Sequence, residues 1–380
     1  MTSQSRARPR RRAAARAAAA LLLAGAGAHA ADYEPGQGLA LGTSGVTLGG
    51  YLTAEYQHLG GGRSQWRSSH ASVFAWWEGF ERLKLLGEID QENALSRRRG
   101  PFDDDGGSEE RLSLQRLHAD WTFDDALVLR GGKFLTPVGR WNVSHAGPLV
   151  WTTNRPLLTQ SVYPRQVTGL MASGQLAAGS GTLSYAAYAS NGLEWDADPR
   201  QDLFASVRGL RLLFAPGGGV QLGLSWAAYE QRGSRGEPRT LLGLDALWAR
   251  HGWELQAEWL HTESTTTPPG PARPPGGGGG VVVGGGGGLG GPAQPRPAPR
   301  AEPTRGAYLQ GVMPLPAQLS LVARVERLRD TAVAEAFRQR TLGLAWRPNA
   351  MLSLKLEHQW SSGRADLGID GWTTSLSVLF

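Results

Sequence analysis

The chain has 380 residues with 39 lysines and arginines, 33 acids, 8 histidines and no cysteine. The lack of cysteine excludes disulfides, thiolate metal sites and a thiol nucleophile. Six arginines (6, 8, 10, 11, 12 and 16) and no acid fall in the first thirty residues, so the rest holds 33 bases against 33 acids, and the formal charge of +6 implies no nucleic-acid partner.

Those thirty residues have the three parts of a secretory leader in order: a basic start, the apolar run AAAALLLAGAGA at 17–28, and the small-residue site Ala28-His29-Ala30. The run is too short to span a bilayer as a helix, and no later stretch reaches 18 consecutive apolar residues. The expected organisation is a signal peptide at 1–30, a short periplasmic segment at 31–44, and one unit from 45 to 380.

From residue 45 the chain alternates apolar and polar residues, the period of a strand with two unlike faces. Val46, Leu48, Leu52, Ala54 and Tyr56 oppose Thr47, Tyr51, Thr53, Glu55 and Gln57. Further on, Leu83, Leu85 and Ile89 oppose Arg82, Lys84, Glu88 and Asp90. Trp253, Leu255, Ala257 and Trp259 oppose Glu254, Gln256 and Glu258, and Leu352, Leu354, Leu356 and Trp360 oppose Ser353, Lys355, Glu357 and Gln359. Sixteen strands are predicted: 45–58, 66–77, 80–92, 111–123, 126–135, 166–176, 181–190, 203–215, 219–230, 239–250, 252–263, 305–314, 318–329, 336–347, 350–360 and 370–380. Most reach the length that a tilted strand needs to cross a bilayer. Short connections follow the even strands and long ones the odd strands, as in a membrane barrel with turns at one rim and loops at the other. The expectation is all-β: a transmembrane antiparallel β-barrel of about 16 strands, closed by pairing the last strand, GWTTSLSVLF, with the first.

A leader, alternating strands and a terminal strand ending in Phe380 resemble the outer-membrane porins of Gram-negative bacteria. The stretch GGKFLTPVGRWN at 131–142 resembles the corresponding segment of phosphate-selective-type porins. The resemblance implies a passive diffusion channel in the cell outer membrane. Its partners would be outer-membrane lipids and lipopolysaccharide, the barrel-assembly machinery that reads the terminal aromatic strand, small hydrophilic or anionic solutes, and two further copies in a homotrimer. It also implies that the third external loop folds into the barrel.

That loop, 136–165, has no acid but has Arg140, Arg155, Arg165 and His145, with Lys133 just before it. It is too apolar to stand in water. Its greasy side is expected on the inner wall, and these five residues at the constriction. The expected pore wall is Arg82, Lys84, Glu88, Asp120, Glu254, Glu258, Lys355 and Glu357. The glycine-proline stretch within 264–304 is expected to be an external excursion without a core of its own. The charged loop 97–110 has no EF-hand spacing. No metal or cofactor is expected. The eight histidines form no HExxH pair and there is no GxSxG elbow. His118 and Asp120 share a predicted lumen face, so a barrel hydrolase stays open, as does a non-conducting surface-binding barrel.

Overall fold

The computed structural model describes residues 33–34, 37–100, 110–144, 146–161, 163, 165–196, 203–231, 238–264, 304–330, 336–363 and 369–380. The leader, His145, most of the 97–110 loop and the glycine-proline stretch lie outside these residues. Among them, nineteen strands join into one sheet. Three are side ribbons of at most four residues, Tyr33–Glu34, Gly38–Ala40 and Ser96–Arg99.

The other sixteen form the barrel. They are β1 (Val46–Leu59), β2 (Arg63–Trp77), β3 (Leu83–Glu92), β4 (Arg111–Asp124), β5 (Leu127–Leu135), β6 (Gln166–Ala178), β7 (Gly181–Ser190) and β8 (Phe204–Gly217). Then follow β9 (Val220–Gln231), β10 (Pro238–Arg250), β11 (Trp253–Ser264), β12 (Thr304–Pro314), β13 (Leu319–Asp330), β14 (Phe337–Trp346), β15 (Leu352–Ser362) and β16 (Gly371–Leu379). Each is antiparallel to its neighbours, and β16 closes on β1 from Gly371↔Leu59 to Leu379↔Tyr51. Closure leaves no free sheet edge. No described helix is long and apolar enough to cross a membrane. The one α-helix among the described residues, α1, is Leu157–Ser161.

The alternation decides the two surfaces. Leu222, Leu244, Leu255, Leu309, Val325, Leu356 and Leu376 stand exposed on the outer face, while Ser225, Glu258, Gln310, Gln359, Thr373 and Ser377 are buried inside. An apolar outside and a polar inside is the arrangement of a barrel in lipid, reversed from a soluble sandwich. Trp248, Trp253 and Trp346 stand exposed toward the turn end, and Trp226, Trp360 and Trp372 toward the loop end.

The turn end is built from tight, locally capped connections. Asp124 Oδ1 accepts from Ala126 N and Leu127 N at 2.9 Å each, and Asn349 Oδ1 accepts from Met351 N and Leu352 N at 2.9 Å each. These side chains mimic a backbone turn. One expectation fails at the opposite end: the connection after β1 is not long, but the three-residue turn Gly60–Gly62. Glycine permits it, because Gly61 and Gly62 have φ of 75° and 73°.

Thr262 and Thr304 pair in register across β11 and β12, so the two strand ends that flank 265–303 lie side by side. Deleting 268–300 is expected to leave the yield of folded barrel unchanged, measured as heat-modifiable protein on a gel. Loop length costs only about 0.6 kcal/mol per doubling. A large loss of barrel would refute this.

Candidate functional site

The third connection at the loop end, 136–165, folds into the barrel. Its apolar residues Val138, Trp141, Val150, Leu158 and Tyr163 are buried together with Phe134, Val167, Tyr188, Phe204, Tyr229 and Leu260 of the wall. The hydrophobic core of the protein therefore lies inside the barrel, between loop and wall. Trp151 packs on a second cluster of Val312, Val322 and Ala345.

Hydrogen bonds then fix the loop along β9 to β16. Gly139 N donates to Ser225 Oγ (3.2 Å), and the Arg140 fork donates twice to Gln221 Oε1 (3.0 and 2.8 Å). Trp151 Nε1 donates to Glu254 Oε2 (2.9 Å), and Thr153 N to Glu357 Oε1 (2.5 Å). Leu157 N donates to Glu326 Oε2 (2.8 Å). From the wall, Lys355 Nζ donates to Gly147 O (2.7 Å) and Arg324 Nη2 to Asn154 O (3.0 Å). A Cβ at Gly147 would sit 2.5 Å from Thr53 Oγ1 and 2.9 Å from Ser377 Oγ, so a larger residue would push these hydroxyls aside.

These contacts relocate much of the predicted site. Glu254, Glu258, Lys355 and Glu357 do face inward, but they anchor the loop, and the last three are almost fully buried beneath it. Arg140 is likewise fastened: Nε lies 3.1 Å from Asp245 Oδ1, and Asp245 also pairs with Arg211. Burial lowers the Arg140 pKa from its usual value, and Asp245 opposes the shift. Arg155 and Arg165 are half-buried. Burial, and then the like charge of Arg165, brings Arg155 down to about 10, so it stays charged at neutral pH. His145 lies outside the described residues.

Lys133 is a correction. It pairs in register with Leu117, which is exposed on the outer face, so Lys133 points away from the lumen. It is buried there by the loop after β7, held by Glu194 at 2.8 Å and by Asp196 O at 3.2 Å. Arg82 stands exposed in the turn before β3, and Lys84 pairs with Glu78 at 2.8 Å near the turn-end mouth.

The wall across from the anchored loop shows a pattern that strand spacing alone did not single out. Arg67 pairs with Glu55 at 2.7 Å, Arg116 with Glu88 at 2.5 Å, Arg130 with Asp120 at 2.7 Å and His70 with Asp90 at 2.7 Å. In every pair the acid lies against the wall and the base leans into the lumen. Side-chain exposures are 24% against 6%, 24% against 0%, 27% against 16% and 39% against 3%. All these residues lie on the polar faces of predicted strands 1 to 5; which member of each pair meets water depends on cross-strand register.

On the turn side of the loop lies a cavity of about 370 Å³, lined by Arg140, Trp151, Arg211, Glu254, Gln256 and Gln310 among others. His70, Asp90 and Glu92 offer ligand atoms within 4.8 Å of one another, although the His70 Nδ1 is already shared with Asp90 Oδ2. Asp120, the proposed partner of a hydrolytic histidine, is gripped by the Arg130 fork with two bonds of 2.7 Å. Among the described residues no serine hydroxyl bonds to His118.

Comparison with solved structures also returns closed outer-membrane barrels. The anion-selective porin from Comamonas acidovorans superposes with a TM-score of 0.54 at 13% identity, covering 88% of this chain and 98% of that one. Salmonella typhi OmpF, in complex with daunomycin, gives 0.60 at 9% identity over 90% and 99%. The trimer form of OmpT, an outer membrane protein of Vibrio cholerae, gives 0.54 at 8% identity over 88% and 99%. The fold is the porin barrel. No model of a known protein family matches the chain. A protein of Aquifex aeolicus with no assigned function is 32% identical over 117 residues, which is 30% of this chain and 24% of that protein. The aligned region thus spans about a quarter of that relative.

Proposed function

We propose that the protein is an outer-membrane porin, a passive channel for small hydrophilic solutes that leans toward anions. The apolar outer belt, the aromatic residues toward both rims and the likeness in fold support the location. No reaction is involved: pore width and wall charge set the barriers. One observation carries the anion preference, the ordering of each pair on β1 to β5. A solute passing that wall meets Arg67, Arg116, Arg130 and His70 ahead of their acids. Arg155 and Arg165, on a loop without an acid, add to the same field. Charges in a partly desolvated passage are screened less than surface charges, so they act strongly on an ion at close range.

The test is the chloride-to-potassium permeability ratio from reversal potentials in planar bilayers. Wild type is expected above one. Arg67→Gln/Arg116→Gln/Arg130→Gln should lower the ratio several-fold, since about 1.4 kcal/mol is a factor of ten in an equilibrium. An unchanged ratio would show that the ions pass elsewhere, and no conductance at all would leave a closed barrel. Lys133 is excluded from the set because it faces outward.

The same reading extends to assembly. The outer face of β2 to β5 sets Ala75 opposite Gly87 and Ala119 opposite Gly131 among exposed Leu85, Ile89, Leu117 and Leu129, an apolar surface on which a second barrel can pack. The Vibrio cholerae barrel is described in a trimer form. A homotrimer packed through this face is expected, and light scattering of the detergent-solubilised protein would expose a monomer.

A further inference from the structure

The wall of β1 to β5 holds one base–acid pair unlike the other three. Those use arginine, which has no lone pair to offer a cation. The fourth uses His70, and imidazole nitrogen is a common metal ligand. Strand pairing gathers its neighbours. His70 on β2 stands directly opposite Glu92 on β3, and Asp90 lies two residues before Glu92 on the same face. Ligand atoms of the three fall within 4.8 Å of one another. All three belong to paired strands, not to loops. The register of β1 against β2 shifts between Thr53 and Ala54, so Ser69 has no partner and His70 sits next to a bulge. Bulges of this kind re-aim a side chain.

A second observation concerns Asp90. It is 2% exposed, and its Oδ1 has no hydrogen-bond partner. The acids beside it are satisfied at both oxygens. Glu88 accepts from Ser72 Oγ at 2.8 Å and from Arg116 Nε at 2.5 Å, and Asp120 accepts twice from Arg130 at 2.7 Å. A carboxylate oxygen buried without a partner is costly, and a cation beside it removes that cost. The cluster is open to the lumen through His70, whose side chain is 39% exposed. Glu92 stands between His70 and, on β4, Arg111. Its two oxygens let it serve a cation and an arginine at once. Glu92 also acts electrostatically on Arg155 of the inner loop, so the cluster borders the passage that the loop narrows.

We propose that His70, Asp90 and Glu92 bind one divalent transition-metal ion, of the zinc type, on the lumen wall. One imidazole nitrogen with carboxylate oxygens suits such ions, whereas calcium and magnesium take oxygen ligands. Zinc takes four ligands, and three from the protein leave one position for water from the lumen. Binding is an exchange. His70 Nδ1 and Asp90 Oδ2 are joined by one hydrogen bond of 2.7 Å. The ion takes its place, and a neutral imidazole moves its proton from Nδ1 to Nε2. Asp90 Oδ1 lies next to the ion, and the two carboxylates balance its charge. A consequence for selectivity rests on the channel reading above. The bound ion adds positive charge to a wall that already presents arginines, and so strengthens its pull on anions.

The experiment uses the untagged mature barrel in neutral detergent, stripped with EDTA. Zinc chloride is titrated by calorimetry, and bound ions are counted by native mass spectrometry. One zinc per chain is expected. His70→Gln and Asp90→Asn should each weaken binding at least about tenfold, since even a group that only orients a metal ligand is worth that much. His261→Gln removes another histidine with a carboxylate neighbour, Glu263 at 3.4 Å, and should bind as wild type does. Heat-modifiable migration certifies that each variant is folded. Failure of wild type to bind zinc overturns the proposal, as does unchanged affinity in both His70→Gln and Asp90→Asn. Displacement of zinc by excess calcium also overturns it, by showing a site of carboxylates alone. The second readout is the chloride-to-potassium permeability ratio in planar bilayers. Zinc should raise it in wild type and leave it unchanged in His70→Gln. Zinc that binds without moving the ratio supports the site and counts against this wall as the path of ions, so the site and the channel reading fail separately.

Discussion

Arg324→Ala is expected to release the inner loop and raise single-channel conductance several-fold, with frequent switching between levels, while the barrel stays folded. Arg324 is almost fully buried, and its guanidinium reaches three parts of the structure at once. Nε donates to Glu326 Oε1 at 2.8 Å, Nη1 to Thr152 Oγ1 at 2.5 Å and Nη2 to Asn154 O at 3.0 Å. The group also lies 5.7 Å from the centre of the Trp141 ring. Glu326 in turn accepts from Leu157 N. Truncation strips the loop of these ties and leaves Glu326 buried without its counter-charge, a change that costs about 3–5 kcal/mol. The sixteen-strand ladder is untouched, so the loop is the part that gives way. Arg324→Lys keeps the charge but not the fork, and should fall between wild type and alanine. Arg327→Ala, which faces outward, should conduct as wild type does. Identical conductance for Arg324→Ala and wild type would mean that the loop is held by its apolar packing alone.

The barrel was legible because its signal is repeated sixteen times. Alternation assigns a face to each side chain, and connection lengths assign an end to each turn. The inward loop was legible for a related reason: Trp141, Val150 and Leu158 on a connection of that length needed a dry surface. The site was less legible, and Lys133 shows why. It occupies the same parity as Leu129, an outward residue, while Phe134 occupies the inward one. The apolar-outside rule reverses at this point because the loop makes the lumen apolar at Phe134 and the segment reaching Asp196 covers Lys133. Both causes lie in how connections fold back, one of them some sixty residues further along the chain. The same limit applies to Glu258, Lys355 and Glu357. Their inward direction follows from spacing, but whether water or the loop covers them depends on where 136–165 comes to rest. The three-residue turn after β1 escaped because β2 begins at Arg63, before its apolar alternation starts.

Removal of Phe380 is expected to reduce assembled barrel in the outer membrane far more than it reduces synthesis. The last residue is part of the seam. Gly50 N donates to Phe380 O at 2.8 Å and Phe380 N donates to Gly50 O at 2.9 Å, extending the β16–β1 ladder to the end of the chain. The ring lies over Gly50, where a Cβ would come within 2.8 Å of Phe380 Cζ and 2.2 Å of Ser72 O. Only glycine leaves room for both the strand crossing and the ring. Two ladder bonds contribute about 1 kcal/mol each, and the half-buried ring adds its packing over Gly50. The loss falls at the one junction whose strands are joined by no turn, so closure depends on those contacts directly. Gly50→Leu should reproduce the deletion phenotype, because its side chain competes with the ring and with the Ser72 carbonyl. Leu376→Ala, an outward change on the same strand that keeps the ladder, should assemble nearly as wild type does. The measurement is the heat-modifiable fraction in isolated outer membranes, normalised to total synthesis. If Phe380 deletion and Gly50→Leu both yield wild-type barrel, closure is secured by the pairs from Gly371 to Leu379 alone, and the terminal ring has no part in it.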